Sequence, residues 1–205
     1  MGRRGSEGWS EGAAKRAYGD ITIEQIVEAA LTLIEREGAA GLSMRKLAEH
    51  LNVSTMAPYY YIDNKDALLD RAIDHVVGAV QVSQEGTWED KLRGVIGGAR
   101  DVIIRFPQLA RVMQQRAPTH EQQRLARETM ALVSAAGVSA ANAPKVAHVL
   151  LDYLFGSLGR QALDNGPYPA LSGARHETEF DFGLDLIMGG LKASGVMETP
   201  ASSTR

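Results

Sequence analysis

From Ile23 onward the apolar residues of this chain recur at helical spacing. Ile23, Val27, Ala30 and Ile34, with Ile26 and Leu33 beside them, draw one stripe along a first helix. Thr22 and Gln25 stand ahead of it as a capping box, in which each side chain satisfies the other residue's backbone N–H. Gly38 supplies the stop. Ser43 then caps a short helix with Leu47, Ala48 and Leu51 on its inner face. Asn52, a residue type that tolerates left-handed backbone angles, marks a sharp turn. Val53 plugs the angle between helices, and Ser54 is expected to cap the next one.

The same period continues to the end of the chain. A helix after Lys65 carries Leu68, Leu69, Ala72, Ile73, Val76, Val77 and Val80. Thr87 opens another, with Trp88, Leu92, Val95, Ile96, Ala99, Val102, Ile103 and Phe106 in register; Pro107 ends it and starts a further short helix. Thr119 and Gln122 form a second capping box, leading through Leu125, Leu132 and Val133 to a stop at Gly137. Ser139 begins a long apolar segment through Val146, Leu150, Tyr153, Leu154, Phe155 and Leu158. A loop over 164–176 follows, then a last helix with Phe180, Leu184, Ile187 and Leu191 that stops at Gly195. No alternating β-branched run stands between turn signals, and no internal repeat is present. The expectation is an all-α chain of roughly nine or ten helices.

Composition narrows the class. Residues 1–20, rich in Gly, Ser and charge, read as a flexible arm, and 196–205 as a solvated tail. Arg3, Arg4, Lys15 and Arg16 suit either a phosphate-brushing arm or a plain leader; no apolar stretch follows them, so no signal peptide is expected. Cysteine is absent, which excludes disulfides and thiolate metal sites and points to a reducing compartment, the cytoplasm. No uninterrupted apolar run is long enough to span a bilayer. A net charge of −3 argues against a non-specific nucleic-acid coat and leaves room for a regulator that is basic only on one face.

The stretch from Ser43 to Asp70 carries the chemistry: two short helices about a tight turn, then an aromatic-and-lysine cluster. Gly38, Leu42-Ser43-Met44-Arg45-Lys46-Leu47-Ala48, Val53-Ser54, Tyr59-Tyr60-Tyr61 and Asn64-Lys65-Asp66-Ala67-Leu68-Leu69 stand in that order and in a spacing that requires no insertion or deletion. In this, residues 21–70 resemble the N-terminal DNA-binding domain of TetR-family transcriptional repressors. The resemblance implies an N-terminal three-helix helix-turn-helix domain over 21–68 and a larger helical ligand-binding and dimerisation domain over 69–195. It places Ser43, Arg45, Thr55, Met56, Ala57, Tyr59, Tyr61 and Lys65 at DNA. Arg45 falls where the family sets an arginine on guanine, whose two major-groove acceptors a guanidinium bonds together. Thr55 reads a base or phosphate, Met56 and Ala57 offer apolar contact to a thymine methyl, and Tyr59, Tyr61 and Lys65 grip phosphate. Arg45 alternatively serves as a solvated helix charge, Tyr60 reads as core, and Lys46 screens the surface or joins the contact. Pro58 departs from the family's leucine; lacking an N–H, it distorts or delays the recognition helix.

From Trp88 onward the chain resembles the C-terminal domain of the tetracycline-repressor branch, on Phe106-Pro107, Ala136-Gly137-Val138-Ser139, Tyr153-Leu154-Phe155-Gly156 and Phe182-Gly183-Leu184-Asp185-Leu186-Ile187. That implies a homodimer built on the last two helices and a pocket for a small-molecule effector. Residues 146–158 are apolar nearly all round, which one chain cannot easily cover. Gly156, Gly159, Gly183, Gly189 and Gly190 permit close helix approach across a dimer axis, or simply mark helix ends and kinks. Phe106, Met113 and Phe155 are pocket candidates and equally good core residues. Tetracycline is not the expected effector, because the family's metal-binding His aligns with Gln81. The histidines at 50, 75, 120, 148 and 176 show no paired metal spacing, and no metal or other cofactor is expected.

The sequence therefore reads as a DNA-binding repressor, released from a palindromic operator by a small molecule. An activator or an orphan regulator answering to a protein partner uses the same residues. A helical enzyme finds no support, since no nucleophilic cysteine, Glu-x-x-His pair or Gly-rich phosphate loop occurs.

Overall fold

The computed structural model of the chain describes residues 21–161 and 176–193. Among them are eight α-helices and one 3-10 turn: α1 (Ile23–Gly41), α2 (Met44–His50), the 3-10 turn (Ala57–Tyr60), α3 (Lys65–Gly78), α4 (Trp88–Arg105), α5 (Pro107–Gln114), α6 (His120–Ala135), α7 (Ala143–Gln161) and α8 (His176–Ala193). No strand occurs among the described residues. None of the helices is long and apolar enough to cross a membrane. The expected arm, the loop over 164–175, the stop at Gly195 and the tail lie outside the described residues. Two compact units divide between Ala72 and Ile73, inside α3.

In the first unit, Thr22 Oγ1 accepts the Gln25 N–H while Gln25 Oε1 accepts the Thr22 N–H, closing the capping box. Ile21 and Ile26, which flank that box at the positions of a hydrophobic staple, are both buried. The stripe then buries Val27, Ala30, Leu33 and Ile34, which orients α1 over α2. Gly38 breaks the helix at φ 75°, as its position predicts, but one more turn follows to Gly41. α2 ends in a Schellman motif: Asn52 takes φ 53°, its N–H donates to Glu49 O, and the Val53 N–H reaches Ala48 O. Val53, 1% exposed, is the apolar plug that this geometry delivers to the core.

The second unit packs α4, α6 and α7 against one another, with α5 on α4. Its core gathers Leu92, Ile96, Val133, Leu150, Leu154 and Leu184, all buried. Burying each such side chain stabilises the fold by about 1.5–3 kcal/mol. α6 ends in a second Schellman motif, with Gly137 at φ 92° and the Val138 N–H on Val133 O. α7 starts at Ala143, not at Ser139: the Ser139 carbonyl accepts the Asn142 and Ala143 N–H groups in a lead-in turn, and Pro144 sets the first helical turn. Ion pairs Arg93–Asp185 and Glu89–Lys192 run antiparallel along α4 and α8. Gly183 has an intramolecular reason, which corrects the expectation of a dimer role for it. A Cβ there would lie 2.2 Å from the Tyr153 hydroxyl, which donates to Phe180 O at 2.8 Å. Gly156, Gly189 and Gly190 instead face open space.

α6 is held to α3 and to the segment just past it by polar contacts. The Glu121 N–H donates to Asp74 Oδ1 at 2.9 Å, and Arg124 Nη2 donates to Val80 O at 3.3 Å. Arg124 also donates to Glu121 at 2.5 Å and to Glu128 at 2.8 Å. That hydrogen bond from Arg124 holds the Glu121 carboxyl below its ordinary value, and the same bond raises the guanidinium.

Two outcomes follow for stability. Asn52→Val forces a β-branched residue into a left-handed backbone and should cost about 1–2 kcal/mol in chemical denaturation, while Asn52→Gly should be close to neutral. A carboxyl held low stabilises the fold above its unfolded pKa, and that stability fades as pH falls through the folded value. Thermal stability should therefore drop as pH goes below about 4.5, the ordinary value for Glu121. Melting curves of Arg124→Met should show a shallower acid slope in that range.

Candidate nucleic-acid interface and ligand cavity

The first candidate site is assembled by the caps of the first unit. Ser43 Oγ accepts the Lys46 N–H at 3.2 Å and starts α2, so its hydroxyl serves the fold as well as standing at the expected contact position. With Met44, Leu47 and Ala48 buried, Arg45 must point outward. Its side chain is 79% exposed and pairs with Glu49 one turn on, Nε to Oε1 at 3.1 Å. Lys46 pairs with Glu37, and the Lys46 hydrogen bond holds the Glu37 carboxyl below its ordinary value.

Past the Schellman turn, Pro58 sets the winding. It has no N–H to offer the Ser54 carbonyl, which is taken by Ala57 instead. Tyr59 N–H bonds Met56 O, and Tyr61 N–H bonds Pro58 O, all at 3-10 spacing. The cap of this turn is Met56, with no side-chain hydrogen bond, so the expected cap at Ser54 is not made. The tighter winding also redistributes the side chains. Ala57 is 2% exposed and presents nothing to a thymine methyl, which corrects its assignment. Tyr60, expected in the core, is 65% exposed and is the residue the sequence reading missed. Three adjacent tyrosines at a turn that Pro58 tightens were the available signal.

Thr55, Met56, Tyr59 and Tyr60 are thus exposed together, while Tyr61 is half-buried. Met56 and Tyr59, one 3-10 turn apart, fall on the same side of the turn. Asn64 Oδ1 accepts the Ala67 N–H and caps α3. Lys65 follows at once, its ammonium 3.3 Å from the Ala40 carbonyl at the end of α1. The face so formed combines a guanidinium, an ammonium, hydroxyls and apolar surface, a set suited to base edges and phosphate together.

The second candidate site is a cavity of about 270 Å³ inside the second unit, between α4, α6 and α7 and closed by Val77 and Val80. Met113 and Phe155 line it as expected. Phe106 does not: it joins α4 to α5, buried at 7% exposure with the Arg105 guanidinium 5.2 Å over its ring. Gln122 and Thr129 of α6 line it and were not singled out, because Gln122 shows in the sequence only as a capping residue. Gln81 is exposed and donates to Gly78 O. Among the described residues no group of three His, Asp or Glu side chains is placed to hold a metal ion.

The comparisons with known proteins agree with both halves. Residues 26–72 match the family of bacterial regulatory proteins of the tetR type. Residues 82–170 match the tetracyclin repressor-like C-terminal domain. An HTH-type transcriptional regulator of Saccharopolyspora erythraea is 28% identical over 207 residues, covering 87% of each chain. Among solved structures, the transcriptional regulator SCO7222, a TetR from Streptomyces coelicolor, superimposes with a TM-score of 0.74 at 27% identity, over 84% of this chain and 98% of that one. ActR from the same organism, a TetR family protein in complex with (S)-DNPA, gives 0.67 at 25% identity, over 85% and 98%. The helices, the turn and both matched segments agree: the chain belongs to the tetR family of bacterial regulatory proteins.

Proposed function

We propose that this chain is a dimeric, sequence-specific DNA-binding repressor that leaves a palindromic operator when a small molecule fills the cavity of its second unit. The observation that carries the reading is the face formed by the exposed Arg45, Thr55, Met56 and Tyr59 with the half-buried Lys65, presented by a capped α2, a 3-10 turn and the start of α3. Arg45 takes a guanine edge, Tyr59, Tyr61 and Lys65 hold phosphate, and Thr55 and Met56 meet bases. Glu37 and Glu49 neutralise Lys46 and Arg45 in the free chain, so DNA competes with an internal pair and binding to random sequence is restrained.

Dimerisation is supported by the exposed apolar residues Val149 of α7 and Phe182 and Leu186 of α8, beside the open Gly156, Gly189 and Gly190. Two copies joined there set two reading faces about one DNA turn apart, roughly 34–36 Å. Release requires only that the ligand bind one dimer conformation better than another. α6 is the element suited to transmit this, because it lines the cavity with Gln122 and Thr129, grips α3 through Glu121 and holds the segment just past α3 through Arg124. The solved ActR complex shows a small molecule on a protein of this fold. The family's members are regulators, and the same role in the cytoplasm, with no catalytic step, is the reading for this chain.

Fluorescence anisotropy on duplexes selected by the protein tests these roles. Arg45→Ala should lose about 1–3 kcal/mol of discrimination at one base pair of each half-site. Its folding stability should change by no more than about 1 kcal/mol, since the pair it breaks is exposed. Lys65→Met should weaken all sequences evenly and lower the salt slope by about 1. The double change Phe182→Glu with Leu186→Glu should yield monomers in analytical ultracentrifugation and abolish operator binding. Unchanged base preference in Arg45→Ala, or an intact dimer in the double variant, would refute the corresponding assignment.

A further inference from the structure

The lining of the cavity says what kind of molecule it takes. None of the described residues around it is ionisable, and the polar side chains among them are Gln122 and Thr129, with Met113 adding a thioether. The nearby cation on α6, Arg124, has its donors engaged by Glu121, Glu128 and the Val80 carbonyl. A charged ligand would be stripped of water with no counter-charge to receive it, a cost that apolar contact does not offset.

The two polar residues are also committed in a definite sense. Gln122 Oε1 accepts from the Thr119 N–H at 3.0 Å and from the Thr119 hydroxyl at 3.2 Å. A backbone N–H can only donate, so that bond fixes the amide orientation and leaves Nε2 as the donor Gln122 has to offer. Thr129 is the mirror case. Its hydroxyl donates to Leu125 O at 2.8 Å, which leaves its oxygen as an acceptor. The residues stand seven apart on α6, on one face and about 10 Å from each other along the axis. Thr129 is the more buried.

Resting on the repressor reading above, we infer that the effector is a neutral, largely apolar molecule with a hydrogen-bond acceptor such as a carbonyl at the Gln122 end. A hydroxyl or amide N–H donor at the Thr129 end completes the match. A cavity of about 270 Å³ lies just below the usual range for drug-sized ligands, about 300–1,000 Å³. The effector is therefore compact, with an apolar body that fills the space between α4 and α7. Metal-chelated, anionic and cationic effectors are excluded by this lining.

Two fluorescent probes of similar size test this on the intact protein. One is propionyl-dimethylaminonaphthalene, a neutral ketone whose emission reports polarity and hydrogen bonding at its carbonyl. The other is anilinonaphthalenesulfonate, an anion. The ketone should bind once per chain with blue-shifted emission, and the sulfonate should neither bind that site nor displace it. Gln122→Glu keeps the capping box, since a carboxylate still accepts the Thr119 N–H. It removes the donor and adds charge, so it should weaken the ketone at least tenfold with the melting temperature held, one neutral hydrogen bond alone being about fivefold to tenfold. Gln122→Leu, which removes the donor without adding charge, should weaken it about fivefold to tenfold. Sulfonate binding that the ketone displaces, no ketone binding, or ketone affinity unchanged in both variants would overturn the inference. Operator binding measured without probe separates the two readings. Retained site-specific DNA binding with a failed probe test sinks the effector class alone, and absent DNA specificity sinks the repressor reading alone.

Discussion

Pro58 cannot offer an N–H to the Ser54 carbonyl, and the side chains that the turn after α2 presents to solvent follow from that one missing donor. The segment winds at three residues per turn over Ala57–Tyr60. That winding buries Ala57 and Pro58 and leaves Met56, Tyr59 and Tyr60 outward. The chain tolerates it because both flanks are independently fixed. Asn52 and Val53 close α2 behind it, and Asn64 caps α3 ahead of it. A short, locally determined turn between two capped helices thus carries the exposed face, and Arg45 joins it from α2 only because the opposite side of that helix is buried.

The second unit shows a comparable division of labour along a single helix. α6 places Gln122, Leu125, Ala126 and Thr129 on the cavity, while Glu121 binds Asp74 of α3 and Arg124 the Val80 carbonyl just past it. A molecule that displaces α6 therefore strains its hydrogen bonds to α3 and to the segment that follows it. α3 is the element in which the two compact units divide. Coupling built this way needs no long-range wire, only one helix with two sets of partners.

Local chemistry was the legible part of the sequence. The Thr22–Gln25 box, the Ser43 cap, the left-handed Asn52, Pro107 at a helix start and the Gly137 stop each depend on neighbours within five residues, and the structure forms them all. Where one residue overrules its neighbours, local signals misled. Ser54 looks like a cap until Pro58 removes the helix it would cap, and the burial of Ala57 and exposure of Tyr60 invert with the change of period. Ser139 looks like the start of α7, but Pro144 moves the first turn to Ala143. Tertiary roles were not legible. Gly183 serves Tyr153, Phe106 packs away from the cavity, and Gln122 lines it, and none of these has a signature in spacing. The family resemblance supplied the candidate contacts themselves, which periodicity alone does not identify.

The central claim is that this face reads a specific DNA sequence as a two-fold pair. Repeated selection by this protein on random duplexes at physiological salt measures that directly. Enrichment of an inverted repeat whose half-site centres lie about one helical turn apart or slightly more is the expected result. Recovery of unenriched sequence, or of a single half-site with no symmetric partner, would contradict the account.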